Sequence, residues 1–480
     1  SLALAGVTTG CSRQPDEKIY PYVKQPEEFI PGKPTYFAST HVSGGYGQGV
    51  LVESHMGRPT KIEGLPSHPG SLGRTDAQTQ ATILDLYDPD RAGSVLHNDG
   101  ISNWSDFIAS AKSSVAANPG GVRVLTGAVT SPFEAAKIQA FIAAYSGAQW
   151  HRYEPFGRDN DREASKLVFG RYVDTLLNFK DADVVVSLDS DVFDRGAASV
   201  RYTADYATRR NVADFDTPYL APKHHADASE ITEETKSVFA NVFGNNVAFA
   251  AEVKHDTAGD HGAKEIEHTT PQLNRTYAFE SSPTLLGAMA DHRFPLRPSQ
   301  IEGVARELAD ALGVQGAMPG GESSLSPQQI EWVAAVVDDL NAHKEHSIIT
   351  VGQNQPASVH VLAHEINALL GNVDKTVSYI EAVEVDAVHH LDSLKSLVED
   401  MKAGKVSTLL VMGDTNPVYT APVDLNFAGA MENVSNTIRL SRYVDETATK
   451  CKWSVPESHY LEAWGNVCAY DGTQSVIQPL

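Results

Sequence analysis

Two aspartates, Asp189 and Asp191, follow the apolar run DVVVSL (residues 183–188). Such a run predicts a strand buried in a parallel sheet, and the carboxyl ends of such strands are where α/β sheets bind ligands. Carboxylates at an Asp-x-Asp spacing suit Mg²⁺ or Mn²⁺ and are typical of glycosyltransferases. The alternative is that polar residues simply end a buried strand. We favour that interpretation over the metal site.

Histidines supply the next candidates for metal binding. His360 and His364 are four residues apart in VHVLAHEINALLG, which places both imidazoles on one face of a predicted helix. A zinc protease needs His-Glu-x-x-His, but Glu365 here follows the second histidine, and no third ligand is evident. We therefore expect ordinary helix-face histidines. A second polar group, expected to be a solvated loop, comprises His255, Asp256, Asp260, His261, Glu265, Glu267 and His268.

The glycine-rich stretch at residues 44–49 could suggest phosphate binding, but it lacks the Rossmann spacing and precedes its predicted strand. The glycines are better suited to tight backbone turns. The three cysteines are Cys11, Cys451 and Cys468. A four-iron cluster generally takes four thiolates, so this chain alone is not expected to hold one. Cys451 and Cys468 pair in an oxidising compartment or remain separate thiols, and the sequence leaves both open.

From residue 121 onward the sequence alternates between strand and helix patterns. The predicted strands include residues 183–188, 346–352, 376–384, 407–413 and 436–444. Helical spacing of Phe133, Ile138, Phe141 and Ile142 follows a first strand, GGVRVLTG. This alternation predicts an α/β fold in which helices cover both faces of Rossmann-type parallel sheets.

Length and charge limit the possible functions. A chain of 480 residues predicts about three domains, and its net charge of −23 argues against nucleic-acid binding, which needs clustered Lys and Arg. The opening SLALAGVTTGC resembles the end of a bacterial lipoprotein signal, which predicts lipidation of Cys11. The proline-rich segment that follows predicts an extended, irregular strap.

Several motifs carry a resemblance to a known family. Residues 50–91 contain a glycine-arginine turn, then KIEGLPSHP and YDPDR, and resemble the amino-terminal part of molybdopterin-dinucleotide oxidoreductases. The family's cluster cysteines are absent: the corresponding regions read YFASTHVSGGYGQG and SLGRTDAQ. Together with the motifs at residues 66–91, 277–293, 413–422 and 451–465, the chain resembles the large periplasmic subunits of alternative complex III, a bacterial quinol:electron-acceptor oxidoreductase.

The resemblance implies a molybdopterin-oxidoreductase-like fold without molybdenum, pterin or iron–sulfur cofactor in this chain. It implies clusters in a carboxyl-terminal half that does not follow here. The expected divisions are a signal remnant at 1–11, a strap and degenerate cluster-like region at 12–120, and Rossmann-like domains at 121–340 and 341–480, the second expected to be truncated.

By the same resemblance, the expected role is that of a scaffold in a respiratory or photosynthetic quinol:cytochrome c/electron acceptor oxidoreductase. Its partners would be cytochrome c subunits, a quinol-oxidising integral membrane subunit and the cluster-bearing half of the same subunit. The expected location is the periplasmic side of the bacterial cytoplasmic membrane, with a lipid anchor. The alternative is an active molybdenum or tungsten bis-pterin oxidoreductase that lacks only its amino-terminal cluster. Gly413–Pro417 (GDTNP) resembles the family's dinucleotide loop and is interpreted as a retained turn.

Overall fold

The computed structural model describes residues 30–194, 196–210, 273–316 and 325–480. The strands in chain order are β1 (Thr35–Ser43), β2 (Tyr46–His55), β3 (Arg58–Gly64), β4 (Leu96–His97), β5 (Gly100–Ile101), β6 (Val122–Thr126), β7 (Gln149–Arg152), β8 (Val173–Leu177), β9 (Val184–Leu188), β10 (Arg275–Glu280), β11 (His292–Pro295), β12 (Ser347–Val351), β13 (Val377–Glu381), β14 (Thr408–Met412), β15 (Asn436–Ser441), β16 (Trp453–Pro456), β17 (Gly465–Cys468) and β18 (Gln474–Ile477).

The helices in chain order are α1 (Ala77–Tyr87), α2 (Trp104–Ala117), α3 (Pro132–Ala144), α4 (Asp159–Phe169), α5 (Ser199–Arg210), α6 (Leu285–Met289), α7 (Pro298–Leu312), α8 (Pro327–Ala342), α9 (Ala357–Leu369), α10 (His390–Lys402), α11 (Pro417–Thr420), α12 (Phe427–Met431) and α13 (Glu446–Lys450).

The chain divides into two compact units that are not continuous in sequence. Unit 1 comprises residues 1–159, 196–201 and 381–480, and unit 2 comprises residues 160–195 and 202–380.

The main sheet of unit 1 has seven strands in the order β5-β4-β16-β15-β14-β6-β7. The strands from β16 to β7 are parallel, whereas the short β4–β5 hairpin is antiparallel. Leu409 and Val411 of β14 pack with Leu394 and Leu397 of α10 in one apolar core. The helices that connect the parallel strands thus cover the sheet and bury its apolar side chains.

Two smaller antiparallel elements complete unit 1. Strands β1, β2 and β3 form a three-stranded sheet, and β17 pairs with β18 as a hairpin. Val50, Val52 and Ile62 of the first sheet form a core with Leu461, which precedes the hairpin. The chain near residue 461 therefore packs on the amino-terminal sheet.

Unit 2 is built on a four-stranded parallel sheet in the order β11-β10-β9-β12, with β8 and β13 paired separately. Helix α7 buries Ile301, Val304, Ala305 and Leu308, which recur at the three- and four-residue spacing of one helix face. These side chains join Val184, Val186 and Leu188 of β9 in the main core of this unit.

The structure confirms the predicted α/β fold class with parallel sheets flanked by helices. The strands predicted at residues 183–188, 346–352, 376–384, 407–413 and 436–444 correspond to β9, β12, β13, β14 and β15. Helix α10 ends just before Gly404, whose φ of +68° is the left-handed conformation expected of a glycine stop.

The sheets do not follow the expected division into domains at 121–340 and 341–480. Strands β6 and β7 pair in the sheet of β14 and β15, whereas β12 pairs with β9. Most of unit 2 is thus inserted between β7 and β14 of unit 1. The sequence order of parallel strands does not reveal which strands pair, because their crossover connections have no fixed length.

Candidate functional site

The carboxyl edge of the seven-stranded sheet, where β6, β7, β14, β15 and β16 end, is the candidate functional site. After β6 the chain continues to β7 on one side, whereas β14, β15 and β16 extend the sheet on the other side. The strand order therefore reverses between β6 and β14. Open α/β sheets bind ligands outside the carboxyl ends of strands at such a switch point.

The loop that follows β6 is covered by the turn between β1 and β2. The Thr130 hydroxyl lies 2.7 Å from the carbonyl oxygen of Gly45 and accepts a 3.1 Å hydrogen bond from the backbone N–H of Cys468. A Cβ atom at Gly45 would clash with the backbone oxygen of Ala128 and lie 2.8 Å from its carbonyl carbon. The backbone at this side of the switch point is thus packed against the chain itself.

Helix α3 begins directly after this loop, and a helix start is commonly a binding site for phosphate. Here the Ser131 side chain accepts the hydrogen bond from the Glu134 backbone N–H and donates to the side-chain oxygen of Asn466. Pro132, the first helical residue, has no N–H. At this helix start, one backbone N–H is therefore absent and another is satisfied within the chain.

A carboxylate closes the other face of the same loop. Glu154, which follows β7, accepts a 3.0 Å hydrogen bond from the Ala128 backbone N–H. A Cβ atom at Gly127 would displace this carboxylate from its present position. Burial raises the pKa of Glu154 above its usual range.

An ion-paired cluster lies along the remaining strand ends. Arg442, which follows β15, donates to Asp414 after β14 at 2.9 Å and to Asp85 of α1 at 3.4 Å. Glu457, which follows β16, donates its backbone N–H to the Ser441 carbonyl. Burial, with the nearby Asp414 carboxylate, raises the pKa of Glu457 to about 7. Carboxylates thus outnumber the cation at this part of the edge.

The loop Gly413–Pro417, which the sequence relates to a dinucleotide loop, uses its polar groups internally. The Asn416 side chain donates to Glu446 at 2.7 Å and accepts from the Thr447 hydroxyl at 2.6 Å, which ties it to the start of α13. Gly413 has a φ of +75°, which supports the interpretation as a turn.

A further buried ionic group lies between β7 and α10. His390 Nε2 is 3.0 Å from Glu384, and the Arg152 Nε atom is 3.8 Å from the same carboxylate. Asp159 accepts the backbone N–H groups of His390 and Leu391 at the start of α10. These contacts are those of a helix cap and a buried ion pair.

Hydroxyl side chains that donate to backbone carbonyls occupy the two regions in which the resemblance places cluster cysteines. Ser39 and Thr40 of β1 donate to the carbonyls of Gln478 and Val476, at 2.9 and 3.0 Å. Ser71, in the later region, donates to Leu65 at 2.8 Å. These hydroxyls thus hold neighbouring chain segments together.

In unit 2, the Asp189 carboxylate connects three parallel strand ends. It accepts the backbone N–H of Ser281 at 2.8 Å and the Gln355 side-chain amide at 2.9 Å, and thereby joins the ends of β9, β10 and β12. Asp191 accepts the Leu285 backbone N–H at 3.1 Å. Both carboxylates therefore bind protein donors, which favours the strand-end interpretation.

His360 and His364 are both buried on α9, in agreement with the predicted shared face. His364 Nδ1 lies 3.0 Å from the Tyr379 hydroxyl, and burial lowers the pKa of His364 to about 4. His360 Nδ1 lies 4.0 Å from Asp161. Across the described residues, no group of three or more His, Cys, Asp or Glu side chains is arranged to hold a metal ion.

Cys451 and Cys468 are free thiols in the structure. Cys451 packs against the α10 core of unit 1, and burial raises its pKa to about 12. Cys468 is buried in β17, and its backbone N–H donates a hydrogen bond to the Thr130 hydroxyl. Cys11, the strap to residue 29 and the polar group at residues 255–268 lie outside the described residues.

Comparisons with known proteins support the fold. No family model matches the chain. The chain is 22% identical over 474 residues to the "Menaquinone reductase, molybdopterin-binding-like subunit" of Nitratidesulfovibrio vulgaris, a match that covers 90% of this chain and 60% of that protein. Acetylene hydratase from Pelobacter acetylenicus has a similar structure, with a TM-score of 0.55 and 11% identity. That similarity covers 90% of this chain and 65% of the hydratase chain.

The structural similarity shows that the chain shares the fold of acetylene hydratase, and the sequence similarity relates it to a subunit that is named molybdopterin-binding-like. The chain spans about 60% of the length of the curated relative. Among the helices of the described ranges, none has the length and apolar character needed to cross a membrane.

Proposed function

We propose that this chain is a scaffold without a molybdopterin cofactor within the electron-transfer subunit of a membrane-associated quinol oxidoreductase complex. The proposed assembly is of the alternative complex III type, on the periplasmic side of the membrane. In it, the chain holds a cluster-bearing part of the same subunit near cytochrome c and quinol-oxidising partners.

The packing at the switch point is the observation that carries the proposal. A dinucleotide cofactor needs backbone N–H groups and space for its pyrophosphate at the strand-end loops. Here the Gly45 backbone lies against Ala128, and the Glu154 carboxylate takes the Ala128 N–H. The residues present therefore do not fit a pyrophosphate at this loop.

Charge supports the same conclusion. Glu154, Asp414 and Glu457 follow three of the parallel strands, and the Arg442 guanidinium between them already binds two carboxylates. A pyrophosphate placed here would add negative charge to an edge that is already acidic. The menaquinone reductase subunit to which the chain is similar is named molybdopterin-binding-like, which is consistent with a retained fold.

Metal and pterin analysis of the intact native complex tests the proposal. We expect iron, but neither molybdenum, tungsten nor the fluorescence of oxidised pterin. A molybdenum oxidoreductase carried through the same purification serves as the positive control. About one molybdenum or tungsten and two pterins per chain would instead establish the bis-pterin oxidoreductase and refute the scaffold.

The location and the partners require separate measurements. Mass spectrometry of the mature amino terminus is expected to find a lipid on Cys11, and a Cys11→Ser chain should release from washed membranes more readily. Cross-linking of the native complex should join this chain to cytochrome c and integral membrane subunits. A mature protein without lipid, or a chain cross-linked only to itself, would contradict these parts of the proposal.

A further inference from the structure

The cluster around Arg442 contains more acidic groups than its cation can neutralise. Arg442 uses one guanidinium nitrogen for Asp414 and the other for Asp85. Glu457 is a third carboxyl at the same strand ends, and no side-chain hydrogen bond connects it to another residue in the part of the chain that the structure describes. One carboxyl of the group therefore lacks a compensating partner.

The charged groups that influence the pKa of Glu457 come from three elements. Asp414 follows β14, and Arg439 and Arg442 belong to β15 and the loop after it. Glu134 lies in the first turn of α3. Arg439 is committed elsewhere, because it binds Asp445 through Nε and Nη2, at 3.1 and 2.6 Å. Both arginines thus already pair with other carboxylates, and neither is dedicated to Glu457.

We propose that Glu457 is a proton-binding residue, and that with Arg442, Asp414 and Asp85 it forms a site that takes up and releases one proton as the pH passes through neutrality. Partial burial disfavours the charged carboxylate, and the Asp414 charge disfavours it further. The resulting pKa of about 7 agrees with this assignment. The inference goes beyond the scaffold role and does not depend on it.

The side chains at the cluster provide a path for exchange with solvent. The Asp414 side chain is 69% exposed, whereas that of Arg442 is 22% exposed. His41 of β1 has a buried Nδ1 atom without a hydrogen-bond partner in the described structure, and Arg442, Asp414, Asp76 and Asp85 all affect its pKa, which burial lowers. The cluster is therefore open to solvent at Asp414, and its charges also influence the buried His41.

Proton exchange near neutral pH has a chemical consequence. An acid whose pKa lies near the operating pH can donate or accept a proton in either direction at little cost. It also changes the charge of the carboxyl edge by one between pH 6 and pH 8.

Infrared spectroscopy of the full chain tests the proposal directly. Ordinary carboxyls are ionised between pH 5.5 and 8.5, since their pKa values lie near 4. A protonated-carboxyl band in this range therefore reports carboxyls whose pKa is raised. We expect such a band with a midpoint near pH 7. The band should lose the intensity of one carboxyl in Glu457→Gln, which leaves only that of other raised groups such as Glu154. It should be unchanged in Asp424→Asn, whose carboxylate is exposed.

A second variant tests the proposal even if Glu457→Gln does not fold. Asp414→Asn removes the neighbouring charge at an exposed position and should lower the midpoint by roughly 0.5 to 1 pH unit. A band that keeps its full intensity in Glu457→Gln, or a midpoint that Asp414→Asn leaves in place, would overturn the proposal. Absence of any band with a midpoint between pH 6 and 8 in the unmodified chain would overturn it as well.

Discussion

The backbone of Gly45 lies against the carbonyl group of Ala128, so that a Cβ atom at residue 45 would come within 2.8 Å of the carbonyl carbon and clash with its oxygen. This contact joins the β1–β2 turn to the loop after β6. It places chain backbone where an open α/β sheet has its ligand-binding crevice. The contact therefore connects the glycine-rich β1–β2 turn to the proposed loss of a cofactor site.

Gly45→Ala is expected to lower the free energy of unfolding by about 3 kcal/mol or more, because it adds a clash to a positive φ of +83°. Gly44→Ala is the matched control, since Gly44 also has a positive φ but has nothing within 4 Å of its Cβ position. Its cost should be about 1 kcal/mol. Urea unfolding of both chains provides the comparison. Equal costs would show that the contact with Ala128 is absent.

The Asp189 side chain holds three strand ends together, and its loss should be costly. Asp189→Ala removes an acceptor shared by Ser281 and Gln355 and is expected to lower the free energy of unfolding by about 2 to 4 kcal/mol. Asp194→Ala, at an exposed carboxylate in the same segment, should cost less than about 0.5 kcal/mol.

Added Mn²⁺ distinguishes the strand-end interpretation of Asp189 from a metal site. A ligand that binds only the folded state raises the melting temperature. We expect no rise with Mn²⁺ in the unmodified chain. A rise that Asp189→Ala abolishes would instead favour the Asp-x-Asp metal site.

The sequence predicted the strands that are buried on both faces, because continuous apolar and β-branched runs such as Val184–Leu188 are distinctive. It missed β7 and β16, which have four residues each and mixed composition. Four-residue strands give too short a pattern for their periodicity to be recognised. Pairing across inserted segments was equally hidden, which explains why the sequential division into domains differs from the two compact units.

The same limitation explains which parts of the candidate site were missed. Asp414 was noticed as part of a turn after a predicted strand. Arg442 lies within the predicted strand 436–444 and just after the observed β15, but Glu457 follows β16, which was not predicted. Asp85 comes from a helix more than 300 residues away. Only the parallel pairing of β14, β15 and β16 brings these residues to one edge.

The buried His364 predicts a loss of stability in mild acid. Its pKa of about 4 lies below the ordinary histidine value near 6.5, so the unfolded state binds a proton that the folded state resists. The free energy of unfolding should therefore decrease as the pH falls from about 6.5 towards 4, by about 3 kcal/mol in total from this residue.

Melting curves between pH 4 and pH 8 measure this effect. His364→Gln should flatten the pH dependence, whereas His346→Gln, at an exposed histidine, should leave it unchanged. His459, whose pKa burial also lowers to about 4, will contribute a slope of the same sign in all three chains. Identical pH profiles for His364→Gln and the unmodified chain would exclude the buried neutral imidazole.

The Arg439–Asp445 pair should contribute more to stability than a surface pair. Arg439 is 1% exposed, and Asp445 both binds it and caps helix α13 through the Ala448 N–H. Asp445→Ala leaves a buried guanidinium uncompensated and is expected to cost about 3 to 5 kcal/mol. Asp392→Ala, which breaks an exposed contact with Lys395, should cost at most about 1 kcal/mol. Urea unfolding that finds similar costs would show that Arg439 is solvated.

Thiol counting decides between the two states of Cys451 and Cys468 that the sequence leaves open. Thiolates are the reactive form, and burial raises the pKa of both thiols, that of Cys451 to about 12. In a Cys11→Ser chain isolated without reductant from an oxidising compartment, a disulfide-exchange reagent should react slowly with the folded protein. It should then detect two thiols after unfolding in urea. If none is detected until reductant is added, the two cysteines pair in that compartment, and the free thiols of the structure represent the reduced protein.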